Sequence, residues 1–418
     1  MKDITYATIV PLIGGENFGI MQATNNQLPE YVLSYTPFSK NDAHFISHLR
    51  EKEGWKGEYI FLDVEGNENY VPSKRVNVVN TVCPCAGLSS LSVSSSPDSA
   101  MNEWMYKTAE YVLGKVQPDM FWGENAPRLF TNAGKKVADQ LYKIGRDNGY
   151  TLNLYYTESR LHGLSQKRPR TFYFFTKGEK TPIFKNFRRP MQPVDDILQM
   201  TTSPDDKMNR LINSKNPTDN PWVAYCMHKA GAKTLMEFHS KVEKSTNCIV
   251  TSDKISDSLH EVAEWMDTNG FDEKYGRRAR AMQGKLDIGK GYWAHGVTMP
   301  KGEIPSLIGA LPSEMINPYT GTYLTVRDCL RIMKLPEEFN MLGDKPESTI
   351  NHVCQNVPVT TAADMMSNVL DYFNGNCDML DATYVKQSNG TMGYEIVDNY
   401  EVQSLDEFFS LQKSSTVL

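Results

Sequence analysis

Through the first 176 positions, short apolar runs alternate with amphipathic stretches. ATIVPLI runs into Gly14-Gly15, the pattern of a strand entering a glycine turn. YVLSY (31–35) and YIFLD (59–63) have strand length, and VNVVNTV (76–82) is apolar and β-branched like a strand buried on both faces. MNEWMYKTAEYVLGKV (101–116) sets Trp104, Ala109, Val112 and Val116 on one helical stripe. PDMFWGEN (118–125) is a further apolar run with a polar end. The next helix carries Val137, Leu141 and Ile144 and stops near Gly149. TLNLYYT (151–157) and RTFYFFT (170–176) read as strands. Strand and helix in alternation predict a mainly parallel sheet with helices on both faces. Ligands sit at the carboxyl ends of such strands, where Gly14-Gly15, Cys85 and Glu124 all fall.

From 177 to 304 the pattern is polar and loses its alternation. Two basic clusters stand out, KNFRRP (185–190) and KYGRRAR (274–280). Periodic order returns over 305–375. LTVRDCLRIMKL predicts a helix with Thr325 as N-cap, and TTAADMMSNVLDYF predicts another ending at Gly375. Near the end, Asn389-Gly390 between strand-like flanks predicts a hairpin.

The chain has 418 residues, room for a large domain and a second one. Its net charge of −6 gives no global basic field, although a local basic cleft can bind nucleic acid on an acidic protein. No apolar run reaches the roughly 18 residues of a membrane span, and the N-terminus lacks a signal-like apolar core. Seven scattered cysteines, an odd number, fit reduced thiols in an intracellular protein better than a disulfide framework.

Cys83 and Cys85 lack the second close pair that a zinc site needs, so no metal is expected. A cysteine after a buried strand is ordinarily a packing residue. Cys83 suits that use. Cys85 lies past Pro84 and opens AGLSSLS, a small polar loop that a substrate can approach, so it is the candidate nucleophile. Glu124 ends an apolar run. Burial there would raise its pKa toward a proton donor's, or it is an ordinary helix-start acid. In SQKRPRTFYFF, alternation puts Arg168 and Arg170 on one side, suited to an anion or a carbonyl, or to guarding a sheet edge.

In this order, PCAGLS (84–89), ENAP (124–127), QKRPR (166–170) and YLTVRDCLRIMKLPEEF (323–339) resemble the motifs of the DNA (cytosine-5) methyltransferase family, with Asp328 where that family has Glu. The resemblance implies a Rossmann-like, S-adenosylmethionine-dependent methyltransferase α/β fold: a mainly parallel mixed sheet, plus a smaller target-recognition domain. Residues 1–176 would begin the catalytic domain, 177–304 would form the recognition domain, 305–375 would complete the catalytic domain, and 376–418 would be an extension. Cys85 would attack C6 of a cytosine flipped out of double-stranded DNA. Glu124 would protonate N3, Arg168 would steady the carbonyl, and Gln166 and Arg170 would organise their neighbours. Ser89 and Ser90 of the closing loop would face the DNA, as would Arg188, Arg189, Arg277, Arg278 and Arg280. A monomer without metal or membrane contact is expected, in a restriction or phage setting.

The donor end departs from the family. Thr8 stands where its Asp belongs and Leu12 where its first Gly belongs. Gly14 and Gly15 remain, and Phe18 would pack on the adenine. Thr36 or Tyr35 replaces the acid for the ribose hydroxyls, and Asp63 would face the adenine amine. Pro84 would lie against the donor. CQNVPV (354–359) brings Asn356 to the same site, with Cys354 where the family has Gly. Three readings follow: a divergent methyltransferase using S-adenosylmethionine, on DNA or on a flipped RNA cytosine; a cytosine-modifying relative with a changed donor; and a DNA-binding relative without catalysis.

Overall fold

The computed structural model describes residues 4–62, 70–83, 87–88, 96–248, 258–290, 296–309, 311–341, 343, 345–391 and 393–397. Asp63, Pro84, Cys85, Ser89 and Ser90 lie outside the described residues.

Nine strands form the main sheet: β1 Tyr6–Ile9, β2 Tyr31–Ser34, β3 Glu58–Phe61, β4 Val78–Thr81, β5 Met120–Asn125, β6 Tyr150–Glu158, β7 Pro169–Lys177, β8 Tyr384–Ser388 and β9 Tyr394–Ile396. Their order is β9-β8-β6-β7-β5-β4-β1-β2-β3. Strands β3, β2, β1, β4 and β5 run parallel. Strand β7 lies antiparallel between β5 and β6, and β8 runs parallel to β6. The order of strands reverses at β1 and β4, so the crevice beyond their carboxyl ends is the switch point where such sheets bind ligands.

Strands β1, β2, β4 and β5 are buried along their whole length, which is why their sequences are mainly apolar, with polar residues such as Thr8, Asn80 and Glu124 among them. Across β5 and β7, Trp122 stacks on Phe174 and Phe121 on Phe175, both at 5.8 Å between ring centres. Each such pair adds about 1 kcal/mol beyond its area burial.

Helices α1 (Gly15–Ala23), α2 (Ser39–Glu51), α3 (Glu103–Tyr111) and α4 (Lys135–Asp147) follow the early strands. Helices α5 (Pro221–Lys229), α6 (Leu235–Lys241), α7 (Leu259–Thr268) and α8 (Glu273–Asp287) lie in the polar middle segment. Helices α9 (Val326–Ile332), α10 (Pro346–Gln355) and α11 (Val359–Phe373) return to the main body. Thr325 caps α9 through a reciprocal box with Asp328, whose shorter acid still reaches the Thr325 N–H at 2.8 Å. Helix α11 crosses α1 closely: a Cβ on Gly19 would come within 2.5 Å of Ala362 Cβ.

The packing boundary of the middle segment lies later than its change of composition. Thr181–Ile183 pairs with Asp378–Leu380, and Phe184 and Phe187 join the main core. Val194, Ile197 and Leu198 sink into a second core under α2, α9 and α10. Separate small cores begin only at Trp222 and Val223. The predicted hairpin is present as β8 and β9, with Gly390 at φ 93° in its turn, and it extends the main sheet.

Candidate functional site at the carboxyl edge of the sheet

Glu124 is the penultimate residue of β5 and is 2% exposed. Its carboxylate pairs with the Arg170 guanidinium, itself largely buried. Antiparallel register explains the meeting: Glu124 faces Phe172 and Asn125 faces Thr171, which brings Arg170 to the mouth of β5. Asn125 is buried and caps the turn by accepting the Ala126 N–H at 2.8 Å.

Arg168 goes elsewhere. It is 1% exposed and donates to the carbonyls of Leu307 (2.7 Å), Cys354 (2.7 Å) and Asn356 (2.9 Å). Alternation failed to predict this because Arg168 lies outside β7, which begins at Pro169. The preceding Gln166–Lys167 pairs with Ile304–Pro305 in a different ladder. Gln166 is buried there, with its amide on the Met333 sulfur at 3.0 Å. Arg170, not Arg168, is therefore the arginine beside Glu124.

Cys83 follows β4 and is 2% exposed. Burial pushes its thiol up, and Thr81 lies 3.6 Å away. It packs, as the sequence suggested, although the strand itself ends at Thr81. The strand that leads to Cys83 pairs with the strand that carries Glu124.

The turn after β1 is tightly built. Val10, Leu12 and Gly14 adopt φ of 53°, 52° and 88°, although two of them carry side chains that disfavour this region. Leu12 N–H donates to Asp42 Oδ1 at 3.0 Å and Gly15 N–H to Asn356 Oδ1 at 3.0 Å. A Cβ on Gly14 would fall 2.1 Å from Phe45, and one on Gly15 2.1 Å from the Val357 carbonyl. Asn356 thus joins the turn to Arg168, which holds the Asn356 carbonyl. Phe18 is 5% exposed and sits edge-on to Phe45, His48 and Phe339 at 5.0–5.5 Å. Stacking on an adenine would require it to leave that aromatic cluster, into which the helical phase of α1 directs it.

Four polar residues here, Asp42, Glu16, Asn17 and Asn80, escaped the sequence reading. Asp42 lies on the buried stripe of α2 with Phe45, Ile46 and Leu49. It also accepts hydrogen bonds from Ser34 and, at 3.3 Å, from Tyr59. Burial raises its pKa to about 7. Glu16 is fully buried in the first turn of α1, and its Oε2 accepts Asn80 Nδ2 at 2.7 Å. Burial, and then the nearby Glu124, raise its pKa well above the carboxylate range. Asn17 Nδ2 reaches Thr8 Oγ1 at 3.3 Å, and Thr8 pairs in register with Asn80. The signal was present: an acid on an apolar helical stripe, and an asparagine inside VNVVNTV.

The basic clusters divide. Lys185 pairs with Asp371 at 2.6 Å, and Arg189 grips Asp364, which also holds the buried His162 at 2.8 Å. Arg188 is exposed. On α8, Arg277 and Arg278 are exposed, whereas Arg280 pairs with Asp267. Among the described residues, no group of three or more His, Cys, Asp or Glu converges on a metal site, and no helix is long and apolar enough to cross a membrane.

A family model described as C-5 cytosine-specific DNA methylase matches residues 13–370. No curated protein sequence matches the chain. Among solved structures, the chain resembles a protein assigned as a DNA modification methyltransferase and encoded within an Escherichia coli prophage. That likeness has a TM-score of 0.55 and 13% identity, and covers 89% of this chain and 100% of the other. The Entamoeba histolytica methyltransferase EhMeth gives a TM-score of 0.52 at 10% identity, covering 89% and 99%. At these identities the two structures establish the fold, an α/β methyltransferase fold.

Proposed function

Because the chain belongs to the C-5 cytosine-specific DNA methylase family, we propose that it methylates C5 of cytosine flipped out of double-stranded DNA, inside the cell and as a monomer. The observation that carries this reading is the buried Glu124–Arg170 pair at the mouth of β5, one strand from the segment leading to Cys85.

Cytosine C5 is a poor nucleophile until C6 is attacked. The Cys85 thiolate adds to C6 while Glu124, which takes up a proton from solvent as the base binds, passes it to N3, and the ring becomes enamine-like with electron density at C5. Arg170 holds the Glu124 carboxyl in place and lies where the base carbonyl would need a donor. After C5 is methylated, a base removes the C5 proton, the Cys85 thiolate leaves, and the N3 proton returns to Glu124. Arg168 acts at one remove by fixing the segment 354–356 against the turn after β1. Flipping the base costs a few kcal/mol. Exposed Arg188, Arg277 and Arg278 would contact DNA phosphates; Arg189 and Arg280 are already engaged with acids.

Membership in a methyltransferase family implies S-adenosylmethionine as donor, which supplies an electrophilic methyl group when bound. The residues present fit such a group, in altered form. The left-handed turn and the N-terminus of α1 suit a carboxylate. Glu16 Oε1, Asn17 Oδ1 and Asn80 Oδ1, buried and without a partner among the described residues, suit a cation. Thr36 stands after β2 where an acid was expected.

The reading is tested by incubating cytosine-containing duplex DNA with the protein and S-adenosylmethionine, then digesting to nucleosides for mass spectrometry. Appearance of 5-methylcytosine supports it. Unmodified DNA, or a cytosine product of another mass, refutes methyl transfer.

A further inference from the structure

Glu16 is a carboxyl group buried completely, with no cationic side chain paired to it among the described residues. Its neighbours add to the anomaly. One oxygen each of Glu16, Asn17 and Asn80 has no hydrogen-bond partner among the described residues. These atoms belong together. Glu16 bonds Asn80, Asn17 follows Glu16 in α1 and bonds Thr8, and Thr8 pairs with Asn80 across β1 and β4. A buried acceptor left unsatisfied keeps its desolvation cost with nothing to offset it. Three in one place, with Glu16 ionised among them, make a buried cluster short of donors and of positive charge.

The chemistry of a ligand that would suit these oxygens follows from the count. A primary ammonium carries three N–H donors and one positive charge. A sulfonium carries the charge but no donor, and so leaves the three oxygens unsatisfied. Hard metal ions need more oxygen ligands than the one carboxyl and two amides here provide. Close by, Asn356 holds the Gly15 N–H, and its own Nδ2 has no partner among the described residues and suits a carboxylate. An ammonium next to a carboxylate is the free end of an amino acid.

We propose that Glu16, Asn17 and Asn80 form the pocket for the primary ammonium at the amino-acid end of the methyl donor. This rests on the donor reading above and goes beyond it, by naming the residues that select the donor. An uncompensated buried carboxylate is expensive, and the nearby Glu124 adds to that cost, so without a cation Glu16 is protonated and its own O–H is the one donor among these oxygens. Binding of the ammonium then favours the carboxylate, and a proton leaves to solvent.

The test uses the full chain and two ligands: S-adenosylhomocysteine, and its deamino analogue with hydrogen in place of the ammonium. Calorimetric titration in two buffers of different ionisation heat gives affinity and proton release together. The wild type should bind S-adenosylhomocysteine about tenfold or more tighter, as charge-assisted hydrogen bonds imply, and should release a proton only with that ligand. Glu16→Gln should abolish the proton release and most of the preference. Equal affinity of the two ligands for the wild type overturns the pocket and leaves the donor reading standing. Failure of the wild type to bind either ligand or S-adenosylmethionine overturns both. The wild-type comparison decides the matter even if Glu16→Gln does not fold.

Discussion

Asp42→Asn isolates the cost of burying an acid beneath the turn after β1. Asp42 is fully buried, accepts the Leu12 N–H at 3.0 Å, and titrates near 7 instead of its ordinary 3.8 because burial disfavours the charge. In the unfolded chain the group ionises near pH 4; in the folded chain it keeps its proton until about pH 7. The folded pKa is the higher one, so the stability linked to Asp42 is complete below about pH 4. It falls as pH rises toward 7 and levels off above that. At about 1.4 kcal/mol for each tenfold change in the proton equilibrium, the loss is about 4 kcal/mol. Asparagine keeps an oxygen for Leu12 and never ionises. Urea denaturation of both proteins at several pH values between 4 and 8 measures the difference. The variant should gain on the wild type by about 2–4 kcal/mol across that window. A difference that stays constant with pH would refute the reasoning and show that Asp42 is ionised or solvated in the folded protein.

The two arginines of QKRPR should separate by assay. Arg170→Ala leaves Glu124 buried without its cation, so stability should fall by about 3 kcal/mol and methyl transfer should be lost even at temperatures where the variant is folded. Arg168→Ala removes a buried guanidinium from three carbonyls; melting should drop comparably while the folded fraction still binds DNA. Loss of DNA binding by folded Arg168→Ala, or methyl transfer retained by folded Arg170→Ala, would contradict this division. Replacing Arg277 and Arg278 with Ala should reduce the slope of log affinity against log salt by about 2, read from fluorescence anisotropy of labelled duplex. An unchanged slope would mark them as solvent-facing charges. Thr325→Ala should lower unfolding stability by about 1 kcal/mol through loss of the α9 cap; no change would mean that the capping box contributes nothing.

Much of the fold was legible because local patterns and tertiary demands agree. VNVVNTV and MFWGEN are apolar because the strands they form are covered on both faces. Thr325, Gly375 and Asn389-Gly390 mark element ends by chemistry that acts within a few residues. What could not be read depends on contacts distant in sequence. The fate of Arg168 is set by carbonyls at 307, 354 and 356, and that of Arg189 by Asp364. Alternation along QKRPR misled because the ladder changes at Pro169. Phe18 follows the glycine pair closely enough to suggest ligand contact, yet the phase of α1 turns it into the Phe45–His48–Phe339 cluster. Asp42, Glu16 and Asn80 were visible as polar residues in apolar settings, but only the structure gathers them around one turn.

The central claim is that Cys85 bonds covalently to cytosine C6 while Glu124 and Arg170 hold the base. Duplex DNA containing 5-fluorocytosine at its cytosine positions blocks the last step, since fluorine cannot leave C5 as a proton does. With S-adenosylmethionine present, the account predicts a protein–DNA adduct that survives denaturing electrophoresis, maps to Cys85 by peptide mass spectrometry, and is absent from Cys85→Ala. No adduct with wild type, or an adduct retained by Cys85→Ala, would contradict it.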